Sequence, residues 1–184
     1  DQQVEGVDFF DTYAPVVAWS TVRLLLILSV ILGLATKQVD YTLAFVHADL
    51  QDDVYVRMPK LFEKPGHVYK LKKSVYGLRQ APLNFFLFLK EGLEARGFVQ
   101  SEYDPCLFVS DKVICLCYVD DCLFFAKEEA DIDEVIESLR GPEPTKFDLN
   151  IEDDVAGFLG ILMNRRNEGF IELTQTGLID RILK

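Results

Sequence analysis

The chain predicts an α+β fold, an antiparallel sheet with helices on one face, on three observations. Residues 113–119 and 122–126 are short apolar runs, rich in β-branched and aromatic side chains, on either side of Asp120 and Asp121; they read as two buried strands joined by an acidic turn. Residues 20–34 and 83–96 are helical segments rich in apolar residues. The order of hairpins and helices along the chain suits a sheet with its helices packed on one side. At 184 residues and 49% hydrophobic, the chain can bury a core as one domain or as two closely packed subdomains.

Residues 20–34 form the first predicted helix, with Ser20 as N-cap and Gly33 near its C-terminal end. The apolar run at 24–35 is shorter than the about 20 residues that cross a bilayer, so it reads as a core helix. Residues 37–46 follow as a strand containing Asp40, and residues 54–58 and 68–71 alternate as hairpin strands. The helix at 83–96 turns Phe85, Phe86, Phe88, Leu89 and Leu93 to the core. After the 113–126 hairpin comes an amphipathic helix at 131–139, where Asp131 and Glu134 resemble a capping box. Residues 158–163 and 170–173 read as a closing hairpin, and 177–184 as the start of a further helix. No initiator methionine opens the chain, so a piece of a larger protein is expected, and no secretory signal is visible, which implies a cytosolic, reducing setting. Cys115 and Cys117 alternate onto one strand face, Cys106 and Cys122 stand alone, and no C-x-x-C spacing occurs; buried small hydrophobes are the expected role, rather than a zinc site.

The net charge of −11 sits awkwardly with a phosphate backbone as partner, because phosphate contacts come from Lys and Arg. The charge is unevenly spread. Residues 128–154 carry eleven acids against Arg140 and Lys146, a net of −9, so the remainder stands at −2. Residues 60–79 carry Lys60, Lys64, Lys70, Lys72, Lys73 and Arg79 against Glu63 alone, a local basic face or a solvated charged hairpin.

Two adjacent carboxylates between buried strands are costly without a compensating positive charge. A divalent cation compensates them, and oxygen-only ligands suit magnesium or manganese. An exposed polar hairpin turn is the other reading of Asp120-Asp121 alone. Asp40, in a second strand-like segment, adds a third acid in a similar setting.

Tyr118-Val119-Asp120-Asp121 resembles the signature turn of reverse transcriptases, and its context is similar to the copia type of long-terminal-repeat retrotransposon. Flanking blocks agree in the family's order: Phe10-Asp11-Thr12-Tyr13-Ala14-Pro15-Val16-Val17, Gln38-Val39-Asp40 with Ala44-Phe45, and Tyr76-Gly77-Leu78-Arg79-Gln80-Ala81-Pro82. Gly97-Phe98, Asp104-Pro105-Cys106-Leu107-Phe108 and Phe158-Leu159-Gly160-Ile161 continue the series, so the resemblance covers nearly the whole chain. It implies a single reverse transcriptase domain: a palm over residues 1–45 and 83–173, small fingers over 46–82, and the start of a thumb over 174–184. The implied activity is RNA-directed DNA polymerisation, adding deoxynucleotides to a primer 3′-hydroxyl. Asp40, Asp120 and Asp121 match the acids that hold two Mg2+ or Mn2+ ions about 4 Å apart. Phe45 matches the aromatic that excludes a 2′-hydroxyl; Tyr76, Gly77 and Gln80 resemble the segment under the incoming nucleotide; Phe158, Leu159 and Gly160 resemble a primer-holding hairpin; Lys72 and Lys73 are candidates for backbone contact. The implied partners are a primed RNA or DNA template, deoxynucleoside triphosphates and a polyprotein that also carries integrase and ribonuclease H, in a cytoplasmic virus-like particle and with no membrane association.

Several positions depart from the family pattern. Leu83 and Phe85 stand where a basic residue and a tryptophan are usual, Thr42 and Leu43 replace a Lys-Thr pair, Ala48 replaces a glycine, and Gly141-Pro142-Glu143-Pro144 interrupts the approach to the next strand. They define the alternative, a catalytically weak or inactive remnant that retains only nucleic-acid binding. A metal-dependent phosphodiesterase built on the same acids lacks a nearby general base, since His47 and His67 are isolated. The acidic stretch at 148–154 lacks the central glycine and terminal glutamate of a calcium loop.

Overall fold

The computed structural model describes residues 3–141, 145–152, 158, 161–166 and 170–183. They divide into two compact units, one formed by residues up to Pro15 with Leu43–Leu89, the other by Val16–Thr42 with the chain from Lys90 onward.

The second unit holds a six-stranded sheet in the order β4-β5-β6-β7-β1-β8, antiparallel throughout. Its strands are β1 (Ala35–Tyr41), β4 (Val99–Gln100), β5 (Leu107–Val109), β6 (Val113–Tyr118), β7 (Asp121–Ala126) and β8 (Leu149–Glu152). Helix α1 (Trp19–Ile31) precedes β1, and α4 (Glu129–Arg140) follows β7. A closing hairpin is present as β9 (Leu162–Arg166) with β10 (Phe170–Thr174), its first strand running over 162–166 rather than the expected 158–163, and α5 (Thr176–Ile182) follows. In the first unit, β2 (Tyr55–Val56) pairs with β3 (Tyr69–Lys70), and α2 (Ala44–His47) is a single short turn of helix. Helix α3 (Ala81–Glu94) has its residues divided between the two units.

Helices pack on both faces of the sheet, which corrects the expectation of one. Alternation along the strands puts Leu116, Leu123 and Phe125 on one face, where they form a buried cluster with Val22, Leu25 and Leu26 of α1. The opposite face carries Lys37, Val39 and Tyr41. Lys37 pairs there with Glu129, at 2.8 Å, and with Asp133 of α4, and the Tyr41 ring packs against Phe147 at 5.3 Å between centroids. Each strand of β6 and β7 is apolar in both directions, so each needs a cover on both sides. Only one side of α1 is buried; Leu24, Ile27 and Ile31 are exposed, against the reading of a core helix.

The helix ends show which local signals held. Gly33, at φ +63°, terminates α1 in a Schellman arrangement: the Leu34 N–H donates to Ser29 O at 2.8 Å and the Gly33 N–H to Val30 O at 3.4 Å. The N-cap is Ala18 rather than Ser20, without a side-chain cap bond. The Ala18 N–H is instead accepted by Asp104 Oδ2 at 3.1 Å, while Asp104 Oδ1 accepts from the Cys106 N–H at 3.0 Å, so a buried acid from the β4–β5 connection fixes the entry to α1. Helix α4 starts at Glu129 with Glu128 as cap, so the Asp131–Glu134 capping box does not form; Asp131 pairs with Lys112 at 3.0 Å. The strand expected over 37–46 stops at Tyr41, which leaves Phe45 on α2.

Gly92 is buried inside α3, a position that costs helix stability relative to Ala. A Cβ there would lie 2.6 Å from Phe147 Cε2 and 2.7 Å from Thr145 Oγ1, so close approach of the backbone explains the glycine. Arg96 ties the same region together: its guanidinium donates to Gly92 O at 2.8 Å, Ser138 O at 2.7 Å and Thr145 O at 2.9 Å. Gly92→Ala is expected to destabilise the chain by about 1–3 kcal/mol despite the better helix propensity of Ala. A lowered urea midpoint shows this, with partial recovery when Phe147→Leu makes room.

Candidate active site

Strand β1 brings Asp40 to the acidic turn. In the β1–β7 register Asp40 lies directly opposite Asp121, and the Tyr41 N–H donates to Asp120 O at 2.9 Å. Opposed side chains of an antiparallel pair share a face with Cβ atoms about 5 Å apart, so the early acid meets Asp121 by register alone. Gln38, Asp40, Tyr118 and Asp121 point to the face that α1 covers further along the strands.

The turn itself is strained. Tyr118 pairs with Asp121, leaving Val119 and Asp120 as a two-residue loop. Val119 has φ +53° and Asp120 has no positive φ, a pattern that fits a type II′ turn, in which glycine is usual at the first position. A β-branched residue there costs on the order of 1–3 kcal/mol.

The carboxylates carry uncompensated negative charge. Burial and then the charge of Asp120 raise the Asp40 pKa above its ordinary value. Burial pushes Asp121 up to about 6; Gln38 Nε2, donating to Asp121 Oδ1 at 3.3 Å, opposes the shift, and the charges of Asp120, Asp40 and Glu152 add to it. Gln38 is 2% exposed and its Oε1 has no hydrogen-bond partner among the described residues. Three carboxylates with an unmet amide oxygen beside them form an oxygen-only donor set of the kind hard divalent cations take. They do not close to a tight cage: among the described residues, the His, Cys, Asp or Glu ligand atoms that gather in threes within 4.8 Å of one another are thiols. Like charges without a counter-ion stand apart.

Gln38 carries no catalytic group, and nothing in the sequence marks it as a site residue by type. Its position two residues before Asp40 on a strand is the signal that puts both on one face. Thr42, in place of a lysine, is tied to β8: its N–H donates to Asp148 O at 2.9 Å and its Oγ1 accepts from Asn150 Nδ2 at 3.0 Å.

The remaining candidates divide between the two units. Phe45, Tyr76, Gly77, Gln80, Lys72 and Lys73 belong to the first unit. Phe45 is buried, with ring centroids 4.4 Å from Tyr76 and 6.2 Å from Phe85, and Gly77 sits nearby in sequence at φ +100°. Gln80 is 1% exposed; its Nε2 donates to Asp8 O at 2.7 Å and Asp52 Oδ2 at 3.1 Å, and its Oε1 accepts from Gln3 at 2.9 Å. Lys72 is exposed, and Lys73 bridges Asp49 at 2.8 Å and His47 O at 2.9 Å. The basic segment is thus partly neutralised by acids that precede it, in exposed pairs that solvent screens and phosphates can displace. Phe158 is a buried core residue against Tyr118, at 6.2 Å between centroids. Leu159 and Gly160 lie outside the described residues.

Two outcomes are expected. An acid whose folded pKa is raised binds its proton more tightly when folded, so the chain loses stability as pH climbs from the ordinary 3.8 to about 6. In divalent-free buffer, Asp121→Asn is therefore expected to gain on the order of 1 kcal/mol over the native chain at about pH 7.5, after allowance for solvent screening at this half-buried site, and nothing at about pH 3.5. Urea denaturation at the two pH values reads the difference. Val119→Gly is expected to raise stability by about 1 kcal/mol, because relief of the left-handed strain exceeds the entropy cost of glycine. A lowered urea midpoint contradicts the strain.

A family profile described as "Reverse transcriptase (RNA-dependent DNA polymerase)" matches residues 2–184. The chain is 31% identical over its full length to the retrovirus-related Pol polyprotein from transposon TNT 1-94 of Nicotiana tabacum, covering 14% of that protein. Over 89% of the chain it is 32% identical to the Pol polyprotein from transposon RE1 of Arabidopsis thaliana, covering 11% of it. Over 65% of the chain it is 29% identical to the transposon Ty1-DR4 Gag-Pol polyprotein of Saccharomyces cerevisiae, covering 8% of it. The chain thus spans a small part of the relatives it matches, and among the described residues no helix is long and apolar enough to cross a membrane. With its acidic turn and the register that brings Asp40 to it, the chain belongs to the reverse transcriptase family, in the copia-type branch found in retrotransposon Pol polyproteins.

Proposed function

We propose that the chain is the catalytic portion of an RNA-directed DNA polymerase, with a palm over residues 1–45 and 83–173 and fingers over 46–82. The observation that supports this most is the register that sets Asp40 opposite Asp121 beside the Asp120 backbone. Asp40, Asp120 and Asp121 hold two Mg2+ or Mn2+ ions, which supply the charge that makes the primer 3′-hydroxyl a nucleophile and steadies the leaving pyrophosphate. The chain's own residues keep the carboxylates poised: Gln38 orients Asp121 by its hydrogen bond, and the β1 backbone bond anchors the turn. Phe45, braced by Tyr76 and Phe85, excludes ribonucleotides, and Lys72 and Lys73 meet the template backbone. The enzyme works within a longer polyprotein.

Primer extension on an RNA template with Mg2+ or Mn2+ tests the reading. Asp120→Asn is expected to lower extension by about 10²–10³-fold, the several kcal/mol that metal-held charge supplies to such a transition state. Template binding without extension in either protein rejects it in favour of the remnant, and cleavage without added nucleotides rejects it in favour of a phosphodiesterase.

A further inference from the structure

The face of the β6–β7 hairpin turned away from the carboxylates carries a second cluster of ligand atoms. Cys115 and Cys117 are two apart on β6 and share a face, and the register puts Cys122 of β7 directly opposite Cys117. Cys122, solitary in the sequence, is thus brought to the other two. The three Sγ atoms lie within 4.8 Å of one another, with Cys115 and Cys117 at 3.7 Å, and all three residues are at most 1% exposed.

The size of this triangle is informative. Three thiolates bonded to one ion at about 2.3 Å must stand about 3.8–4.0 Å from one another, for tetrahedral to trigonal arrangements. Cys115 and Cys117 stand at that spacing, and Cys122 lies within 4.8 Å of both, with the two strands in ordinary register. Packing of small hydrophobes needs buried groups of this volume but does not need three sulfurs converging on one point. Cys106, equally buried, lies in the cluster with Leu116 and Leu123 on the carboxylate face and is not part of the triangle.

We propose that Cys115, Cys117 and Cys122 form a preorganised site for one soft metal ion, Zn2+ or Cu+, directly behind the acidic turn. Sulfur donors select such ions, and oxygen donors select Mg2+ or Mn2+, so the two faces of one hairpin sort cations by hardness. Three sulfurs alone satisfy a trigonal Cu+. Zn2+ takes a fourth donor, for which Tyr41 is the candidate: it shares a face of β1 with Val39, which pairs with Cys122. Binding replaces one thiol proton by each metal–sulfur bond and releases it to solvent, without change of oxidation state.

Titration of the reduced, metal-free chain with Co2+ or Cd2+, reading sulfur-to-metal charge-transfer absorption, tests the site without any need for polymerase activity; competition by Zn2+ and by Cu+ then ranks the ions. One ion per chain is expected. Cys115→Ala, Cys117→Ala and Cys122→Ala are each expected to weaken binding by at least about tenfold, while Cys106→Ala leaves it intact. Should an alanine variant fail to fold, X-ray absorption at the cadmium edge of the native complex replaces it: three sulfur neighbours are expected around the one ion. Absence of a saturable one-to-one complex, equal loss in Cys106→Ala, fewer than three sulfur neighbours, or loss of the signal in Asp120→Asn overturns the proposal.

Discussion

Everything at the site depends on β1 lying between β7 and β8 in one particular antiparallel register. A slip of one residue turns every β1 side chain to the other face, so Asp40 and Gln38 exchange places with Val39 and Tyr41 and the acids part company. The hydrophobic pattern prevents the slip. Val39 and Tyr41 are buried on the side covered by α4 and Phe147, and replacing them there by Gln38 and Asp40 would bury two polar groups without partners. The sheet tolerates like charges at Asp40 and Asp121 because the rest of β1 leaves it no cheaper alternative.

That enforced repulsion gives the site its character. Raised pKa values at Asp40 and Asp121, a left-handed Val119 and a buried amide oxygen without a partner among the described residues are separate costs, and all of them fall at or beside one turn. The second unit offsets them with dense packing on both sides of the hairpin, through the α1 cluster on one face and Ile132, Ile136, Leu139 and Phe147 among the buried residues beyond the other. Strain of this kind is what a preorganised charge site requires, since carboxylates free to relax would spread apart or take up protons.

The substitutions that separate the chain from its family pattern are absorbed locally. Thr42 exchanges a charge for bonds to β8, and Phe85 fills the core beside Phe45. Thr42 removes the charge of a lysine, and Phe85 replaces one aromatic by another. Asp40, Asp120 and Asp121 are all retained.

The acidic turn, the amphipathic helix after it, the closing hairpin and the Gly33 stop were legible in the sequence because each rests on contacts within a few residues. The family followed from the ordered motifs, and the Schellman end of α1 from a single glycine. Other features were hidden. The strand at 149–152 lay inside a stretch read only as a failed calcium loop, the caps of α1 and α4 were misplaced, Phe45 moved from strand to helix, and helices took both faces of the sheet. Nor did spacing hint that Gln38 bonds Asp121 or that Cys122 joins Cys115 and Cys117. The sequence by itself determined which residues carry chemistry, because residue type and local period set charge, donor atoms and strand or helix preference. Only the tertiary structure decided which of them meet, because strand register and the covering of each face are settled by long-range burial that no local window contains.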